Sequence, residues 1–215
     1  MSESRRRCRV WLLFLLSGIC LHPASSTVAT EPKPARIVAG VTCQEGESKT
    51  DLSAATSQGV SFSARPLDVK EWEARLEKQA PGSGGLFRRP GGQPAPFQVF
   101  LFRVENSNKQ LVRLQPGNVV LLGGPNEEDH ILDYTDLYQY LLGTGKTGEE
   151  LDSVRDAFFD SGLILEAGKP EERLLIYREL PPSKKRKAMV LLVSSFQVAA
   201  ETYQAMLGWH FEKVK

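Results

Sequence analysis

The chain has 215 residues, of which 41% are hydrophobic, and its 27 basic and 26 acidic side chains nearly cancel. A nucleic-acid-binding domain usually has a basic excess, so we predict no nucleic-acid partner. The sequence carries a signal for export. It carries no catalytic or ligand-binding signature.

The first 26 residues have the build of a secretory signal peptide. A cationic start at 5–9 precedes an apolar run of twelve residues at 10–21, and the small Ala24 and Ser26 suit a signal peptidase. A membrane-spanning helix needs about 20 apolar residues. We therefore predict cleavage after Ser26 and an extracytoplasmic mature chain, which is periplasmic, secreted or on the cell surface.

The cysteines bear on both the fold and membrane attachment. Cleavage removes Cys20 and leaves Cys43 as the single thiol, so the mature chain has no internal disulfide. A lipid on Cys20 is the one membrane attachment that the sequence offers. Because Ser17 and Ile19 fit a bacterial lipobox only loosely, we predict a soluble chain, and we predict no role for Cys43.

Composition divides the mature chain into a tether and a domain. Residues 27–57 are rich in Thr, Ser, Glu, Lys, Pro and Ala, which predicts a disordered tether. The remaining residues, 58–215, suffice for one domain with a proper core. Within it, residues 81–96 are rich in glycine and proline, and we predict a mobile loop there.

The domain opens with a predicted strand and a predicted helix. Residues 59–64 alternate apolar and polar side chains, as a half-buried strand does, and we expect Pro66 to end this strand. Asp68 and Glu71 have the spacing of a capping box, which predicts a short helix over 68–79.

The strongest strand pattern follows the glycine-rich segment. Residues 97–104 are apolar on both faces, which predicts a central strand that is covered on both sides. Residues 111–114 and 119–122 are two further predicted strands, because turn residues bound each of them.

The apolar period then becomes helical. We predict one helix over 137–142, capped by Asp136 and ended by Gly143, and a second helix that begins at Thr147. Together they form a helical insertion around 136–160.

Strand patterns return towards the carboxyl terminus. They lie at 163–165, 173–177, 189–193, 196–198 and 209–211, whereas 199–207 fits a helix equally well. Seven or eight short strands separated by turns predict a mainly β fold, an antiparallel β-sandwich with helical decoration.

Two stretches contain side chains that are typical of phosphate or metal sites, but their spacing is not the spacing that such sites require. The GTGKT sequence at 143–147 lacks the first glycine of a phosphate loop, because Tyr140 stands there, and a predicted helix precedes it. We predict a helix–loop–helix joint.

An acidic cluster surrounds His130 and consists of Glu127, Glu128, Asp129, Asp133 and Asp136. Its spacing is not that of an EF-hand, so we predict a solvated loop, with loose calcium binding as the alternative.

No histidine lies in a recognisable motif with Ser or Cys, so we predict no catalytic residue, no cofactor and no metal.

The stretch FQVFLFRVENSNKQLVRLQPGNVVLL, residues 97–122, resembles small immunoglobulin-like domains of bacterial exported proteins and lipoproteins. Residues 165–169, followed by 173–177, are similar to the strand that ends those domains. The likeness covers about half of the mature chain and departs from the family at the acidic loop 126–129 and at the helical insertion. It implies an immunoglobulin-like β-sandwich with an adhesive or accessory role and no catalytic residues.

We predict a secreted, non-enzymatic envelope protein that binds a protein partner or has a structural role. One candidate surface is the basic run Lys184, Lys185, Arg186 and Lys187, which is otherwise a solvated turn. The alternative is an extracytoplasmic module that binds a small molecule or a carbohydrate through Tyr134 and Tyr138. A second alternative is a hydrolase whose motif the sequence does not show.

Overall fold

The computed structural model describes residues 41–44, 52–124, 127–179 and 188–212, all within the compact unit Pro32–Lys215. The described strands are β1 (Val41–Gln44), β2 (Ser53–Ser57), β3 (Val60–Leu67), β4 (Phe97–Asn106), β5 (Val112–Leu114), β6 (Val119–Gly124), β7 (Glu127–His130), β8 (Leu163–Leu165), β9 (Pro170–Arg178), β10 (Ala188–Val198) and β11 (Glu201–Glu212). The described α-helices are α1 (Val69–Gln79), α2 (Tyr134–Thr144) and α3 (Gly148–Asp152).

The strands form two sheets. The smaller sheet has four strands in the order β2-β3-β4-β9, and every neighbouring pair is antiparallel. The larger sheet has seven strands, with β1-β11-β10-β5-β8 in line, β6 beside β10, and β7 beside β6. Its pairs are antiparallel except for β1 and β11, which run parallel. The prediction of a mainly β fold is confirmed.

The two sheets bury a shared core between them. Alternate side chains of both sheets point inwards, and the largest of them are Phe62, Phe100, Phe102, Tyr177, Phe196 and Trp209. The ring of Phe100 from β4 lies 5.2 Å from that of Trp209 from β11, which joins the sheets directly. Burial of these aromatic rings removes a large apolar area from water and so stabilises the contact between the sheets.

The other side of the smaller sheet is also buried. Val99, Leu174 and Ile176 project from β4 and β9 into a second apolar cluster. That cluster is completed by the apolar sides of α1, α2 and α3 and by the segment between α1 and β4. Strand β4 is therefore central in its sheet and covered on both sides, as its sequence predicts.

Helix α1 forms as predicted. The Asp68 carboxylate accepts a hydrogen bond from the Glu71 backbone N–H at 2.8 Å, and the Glu71 carboxylate accepts one from the Asp68 N–H at 3.1 Å. This capping box satisfies two amide donors that the helix leaves free at its start. The preceding strand does not stop at Pro66, because β2 pairs only as far as Ala64 and a proline is tolerated on the sheet edge beyond it.

Ordered structure begins inside the predicted tether. Strands β1 and β2 lie within residues 27–57, which contradicts a disordered tether over those positions. Ser53 is fully buried, and its hydroxyl accepts a hydrogen bond from the Gly208 N–H at 2.9 Å. Small side chains such as Ser53 and Ala55 suit a close contact between the sheets, although they give little hydrophobic signal in a sequence. The signal peptide over 1–26 lies outside the described residues.

The segment predicted as a mobile loop, 81–96, packs into the helical layer. Leu86 and Phe87 are buried, and the ring of Phe87 lies 5.8 Å from that of Trp72 and 5.9 Å from that of Phe158. The glycines and prolines correctly indicate irregular backbone here. They do not reveal that two apolar side chains at the centre of the segment anchor it.

The helical insertion begins earlier than predicted. Asp133, not Asp136, caps α2, because its carboxylate accepts the Asp136 N–H at 2.9 Å and Asp136 is the second member of the capping box. Gly145, not Gly143, ends the helix, with a φ of +78° that favours glycine. Helix α3 begins directly after Thr147, as predicted.

Two segments without a clear pattern are strands. Residues 199–207 lie mostly in β11, which forms a hairpin with β10, so the helical alternative is wrong. The acidic segment predicted as a solvated loop contains β7, which pairs with β6. Polar composition hid this strand because it lies at an edge of the sheet, where alternate side chains remain in water.

One buried polar side chain ties β4 to the larger sheet. Asn106 is fully buried, and its amide donates to the carbonyl oxygens of Gln110 at 2.8 Å and Leu165 at 3.0 Å. Its side-chain oxygen accepts the Asn108 N–H at 2.9 Å.

We predict that Asn106→Ala lowers the free energy of unfolding by about 3 kcal/mol, because it leaves the buried Leu165 carbonyl and two half-buried backbone groups without partners. Urea unfolding followed by circular dichroism measures this loss. The control is Asn118→Ala, at a half-exposed position whose side chain has no hydrogen bond among the described residues, and we expect a change within about 0.5 kcal/mol. Equal losses in both variants would contradict the account.

A second prediction concerns the packed segment 81–96. The Arg88 guanidinium makes two hydrogen bonds of 2.7 Å to the Glu73 carboxylate, and Glu73 is nearly buried on α1. Arg88→Gln leaves that carboxylate unpaired, so we expect chymotrypsin to cut at Phe87 severalfold faster than in the unchanged protein. Arg89→Gln, beside it, removes only an exposed contact to Pro94 and serves as the control. Rapid cleavage of the unchanged protein at Phe87 would show that the segment is not anchored.

Candidate functional site

The two tyrosines that the sequence singles out, Tyr134 and Tyr138, lie together on the surface of the helical layer. They are four residues apart on α2, so they share one face of the helix. Their ring centres are 6.2 Å apart, and their planes differ by 12°. Both rings line a recess of about 600 Å³ whose other wall is formed by Thr147, Gly148, Glu149 and Asp152.

Charged groups hold the first tyrosine of this recess in place. The Tyr134 hydroxyl donates a hydrogen bond of 2.8 Å to the Asp152 carboxylate. The Arg155 guanidinium lies 4.8 Å from the centre of the Tyr134 ring and is itself paired with Asp160 at 2.9 Å. The hydrogen bond to Asp152 raises the pKa of Tyr134, because ionisation would bring a phenolate beside a carboxylate.

The width of the recess depends on a glycine. A Cβ atom at Gly148 would lie 2.6 Å from Cε2 of Tyr138, which is closer than van der Waals contact allows. A Cβ atom built at Gly143, on α2, would have no neighbouring atom within 4 Å. The absence of a side chain at Gly148 therefore allows α3 to approach the Tyr138 ring.

A second candidate surface is the side of the seven-stranded sheet that points away from the core. Five apolar side chains define this outer face: Val120, Leu122, Val190, Leu192 and Met206. The strand register places Leu122 beside Val190, and Val120, Leu192 and Met206 in the neighbouring row. None of the five belongs to either buried cluster, since their neighbours along each strand point into the core instead. Val120 is buried, and the other four are half-buried.

The outer face has a polar border on one side. Glu128 and His130 of β7 continue the two apolar rows, and their exposed side chains lie 3.3 Å apart, Nε2 to Oε1. Beyond the rows along β10, the exposed Gln197 marks another polar limit. The described helices pack their apolar sides on the smaller sheet, so the two sheets differ in how their outward sides are covered.

A polar groove lies between α1 and β9. It has a volume of about 590 Å³ and is lined by charged side chains of both signs, among them Arg75, Lys78, Glu172 and Arg173. Arg75 pairs with Glu172 at 3.5 Å, and Arg173 pairs with Glu171 at 2.9 Å. This pairing of opposite charges favours neither anions nor cations.

The acidic cluster is engaged in structural contacts. Asp133 and Asp136 cap α2, and the Asp129 carboxylate accepts the Arg178 N–H at 2.8 Å. Among the described residues, no group of three or more His, Cys, Asp and Glu side chains is arranged to hold a metal ion. The GTGKT sequence forms the predicted joint between α2 and α3, where Lys146 donates a hydrogen bond to the Gly85 carbonyl.

The remaining predicted site residues fall elsewhere. The basic run Lys184, Lys185, Arg186 and Lys187 lies outside the described residues, as does Cys20. Within the part of the chain that is described, no helix has the length and apolar character needed to cross a membrane.

The sequence did not indicate the four other residues that line the recess, Thr147, Gly148, Glu149 and Asp152, because the path of the chain between α2 and α3 brings them to the tyrosines. Nor did it indicate the contact of Arg155 with Tyr134. The outer face was also not predicted, although the sequence indicates it. Residues 119–122 and 189–193 are apolar at consecutive positions, so each strand has apolar side chains on both of its sides.

No known protein family, curated protein or solved structure matches this chain. The resemblance to immunoglobulin-like domains therefore stays a prediction.

We predict that Asp152→Asn lowers the pKa of Tyr134 towards the ordinary tyrosine value of about 10, because the variant lacks the carboxylate that opposes ionisation. Alkaline titration of tyrosinate absorbance, compared with a Tyr134→Phe background, isolates this group. Because the folded pKa is raised, the stabilisation from this contact is complete below the ordinary value and disappears as the pH rises through the folded pKa.

The control for this titration is Glu149→Gln, which removes a neighbouring carboxylate that makes no hydrogen bond to Tyr134. An unchanged Tyr134 titration in Asp152→Asn would show that the two side chains are not in contact.

Proposed function

We propose that this chain is an exported, non-enzymatic protein that binds a protein partner through the outer face of its seven-stranded sheet. The observation that carries the proposal is the five apolar side chains of that face, which belong to neither buried cluster. The leader pattern at 1–26 supports export.

The composition of the outer face fits a protein partner. Protein interfaces have an apolar centre and a polar rim, and here the rows around Leu192 end at the Glu128–His130 pair. Two-sided apolar strands are normal only where both sides are covered, so Val190 and Leu192 favour an occupant on the outward side. The Glu128–His130 rim favours a partner with polar side chains around its apolar patch.

We further propose that the two sheets form an immunoglobulin-like sandwich. Support comes from the shared aromatic core and from the chain crossing between sheets, from β4 to β5, from β8 to β9 and from β9 to β10. Such sandwiches commonly present their exposed sheet faces and loops to partners. The described helices cover the outward side of the smaller sheet, so we propose the partner site on the larger sheet.

The test places a photoreactive benzoylphenylalanine at Met206 of the full chain in the producing cells. We expect one discrete adduct in the envelope fraction, and we expect Leu192→Lys to reduce it by at least roughly tenfold, because a charge in the centre of an apolar interface is left desolvated. Immunoblotting of the irradiated fraction measures the adduct.

The matched control is Gln197→Lys, which places the same charge on the same strand and side but outside the apolar rows. Thermal unfolding verifies that both variants fold. An adduct that survives Leu192→Lys, or that Gln197→Lys removes equally, would contradict a partner site on the outer face.

A further inference from the structure

We infer that the recess between α2 and α3 is a binding site for a neutral saccharide, separate from the partner face. The recess belongs to the helical layer on the smaller sheet, whereas the outer face belongs to the larger sheet. The two proposed sites are therefore independent, and an experiment can exclude one of them without excluding the other.

The aromatic wall of the recess supplies a surface for a sugar ring. A pyranose has an apolar face of C–H groups, and such a face packs on the electron-rich plane of an aromatic side chain. Tyr134 and Tyr138 present nearly parallel rings to the recess, and the hydrogen bond to Asp152 holds the Tyr134 ring in place. A tyrosine has few rotatable bonds, so little conformational entropy is lost on binding.

The opposite wall supplies hydrogen-bond acceptors for hydroxyl groups. Glu149 and Asp152 line this side, and Thr147 adds a hydroxyl. One oxygen of Asp152 already accepts from the Tyr134 hydroxyl, which fixes the carboxylate and leaves its second oxygen for a ligand. Sugar hydroxyls are donors that such fixed carboxylates can bind.

The charges of the recess argue against other ligand classes. Glu149 and Asp152 disfavour an anion. The Arg155 guanidinium lies against the Tyr134 ring and disfavours a cation at the same aromatic wall. The recess is wide and open to solvent, with a volume of about 600 Å³. A neutral, hydroxyl-rich ligand remains the best match.

The experiment uses the full mature chain with chitotetraose and maltotetraose as probes, observed by saturation-transfer-difference NMR and titration calorimetry. We expect at least one of the two to bind. Gly148→Ala narrows the recess at Tyr138, so we expect binding to fall by at least roughly tenfold. Gly143→Ala makes the same substitution in α2 where there is open space, and we expect unchanged binding.

A second pair of variants separates loss of the site from loss of the fold. Tyr138→Phe keeps the aromatic plane and should retain binding, whereas Tyr138→Ala removes the plane and should abolish it. Binding of neither probe, binding that Gly148→Ala leaves intact, or equal loss in Gly148→Ala and Gly143→Ala would overturn the inference. Binding of spermidine in competition with the probes would assign the recess to cations instead and would also overturn it.

Discussion

Burial of strand β4 on both faces is the constraint from which the rest of the structure follows. Phe100 and Phe102 point to one side, and Phe97, Val99 and Leu101 point to the other. A strand with apolar side chains on both faces needs two covering layers. The seven-stranded sheet covers one face, and a layer of helices and irregular chain covers the other, so three layers result.

The helical layer determines where a ligand site lies. Helices α2 and α3 bury Leu137, Leu141 and Leu151 against the smaller sheet. Tyr134 and Tyr138 lie at the edge of the same side of α2, where both are half-buried against that cluster, and the short connection between the helices returns Asp152 to Tyr134. The recess is therefore a consequence of how the layer packs. The larger sheet, by contrast, presents half-buried apolar rows without a described helical layer, which is why we propose that a partner binds there.

Local patterns sufficed to predict much of the fold. The capping box at Asp68, the two-faced character of 97–104 and the start of α3 all depend on neighbouring residues, and the structure confirms them. The sequence did not predict strand β2, because Ser53 and Ala55 are buried but too small to give a clear hydrophobic pattern. Phe87 was missed because the glycines and prolines around it indicate a loop, and only distant partners such as Trp72 explain its burial.

One part of the candidate site could likewise be predicted from the sequence, and another part could not. Helical spacing predicts that Tyr134 and Tyr138 share a face, and this is confirmed. Asp152 and Arg155 come from beyond a turn, so their approach to Tyr134 depends on the path of the chain. The apolar rows of the outer face depend on strand register across β6, β10 and β11, which a single sequence does not reveal.

The most direct test of the three-layer arrangement is a nuclear Overhauser spectrum of the aromatic protons in the mature protein. The account predicts cross-peaks on both sides of β4: between Phe100 and Trp209 in the core between the sheets, and between Phe87 and Phe97 in the helical layer. The ring centres of these pairs are 5.2 Å and 5.8 Å apart. Cross-peaks from only one of the two pairs would show that β4 is covered on one side alone, and would contradict the account.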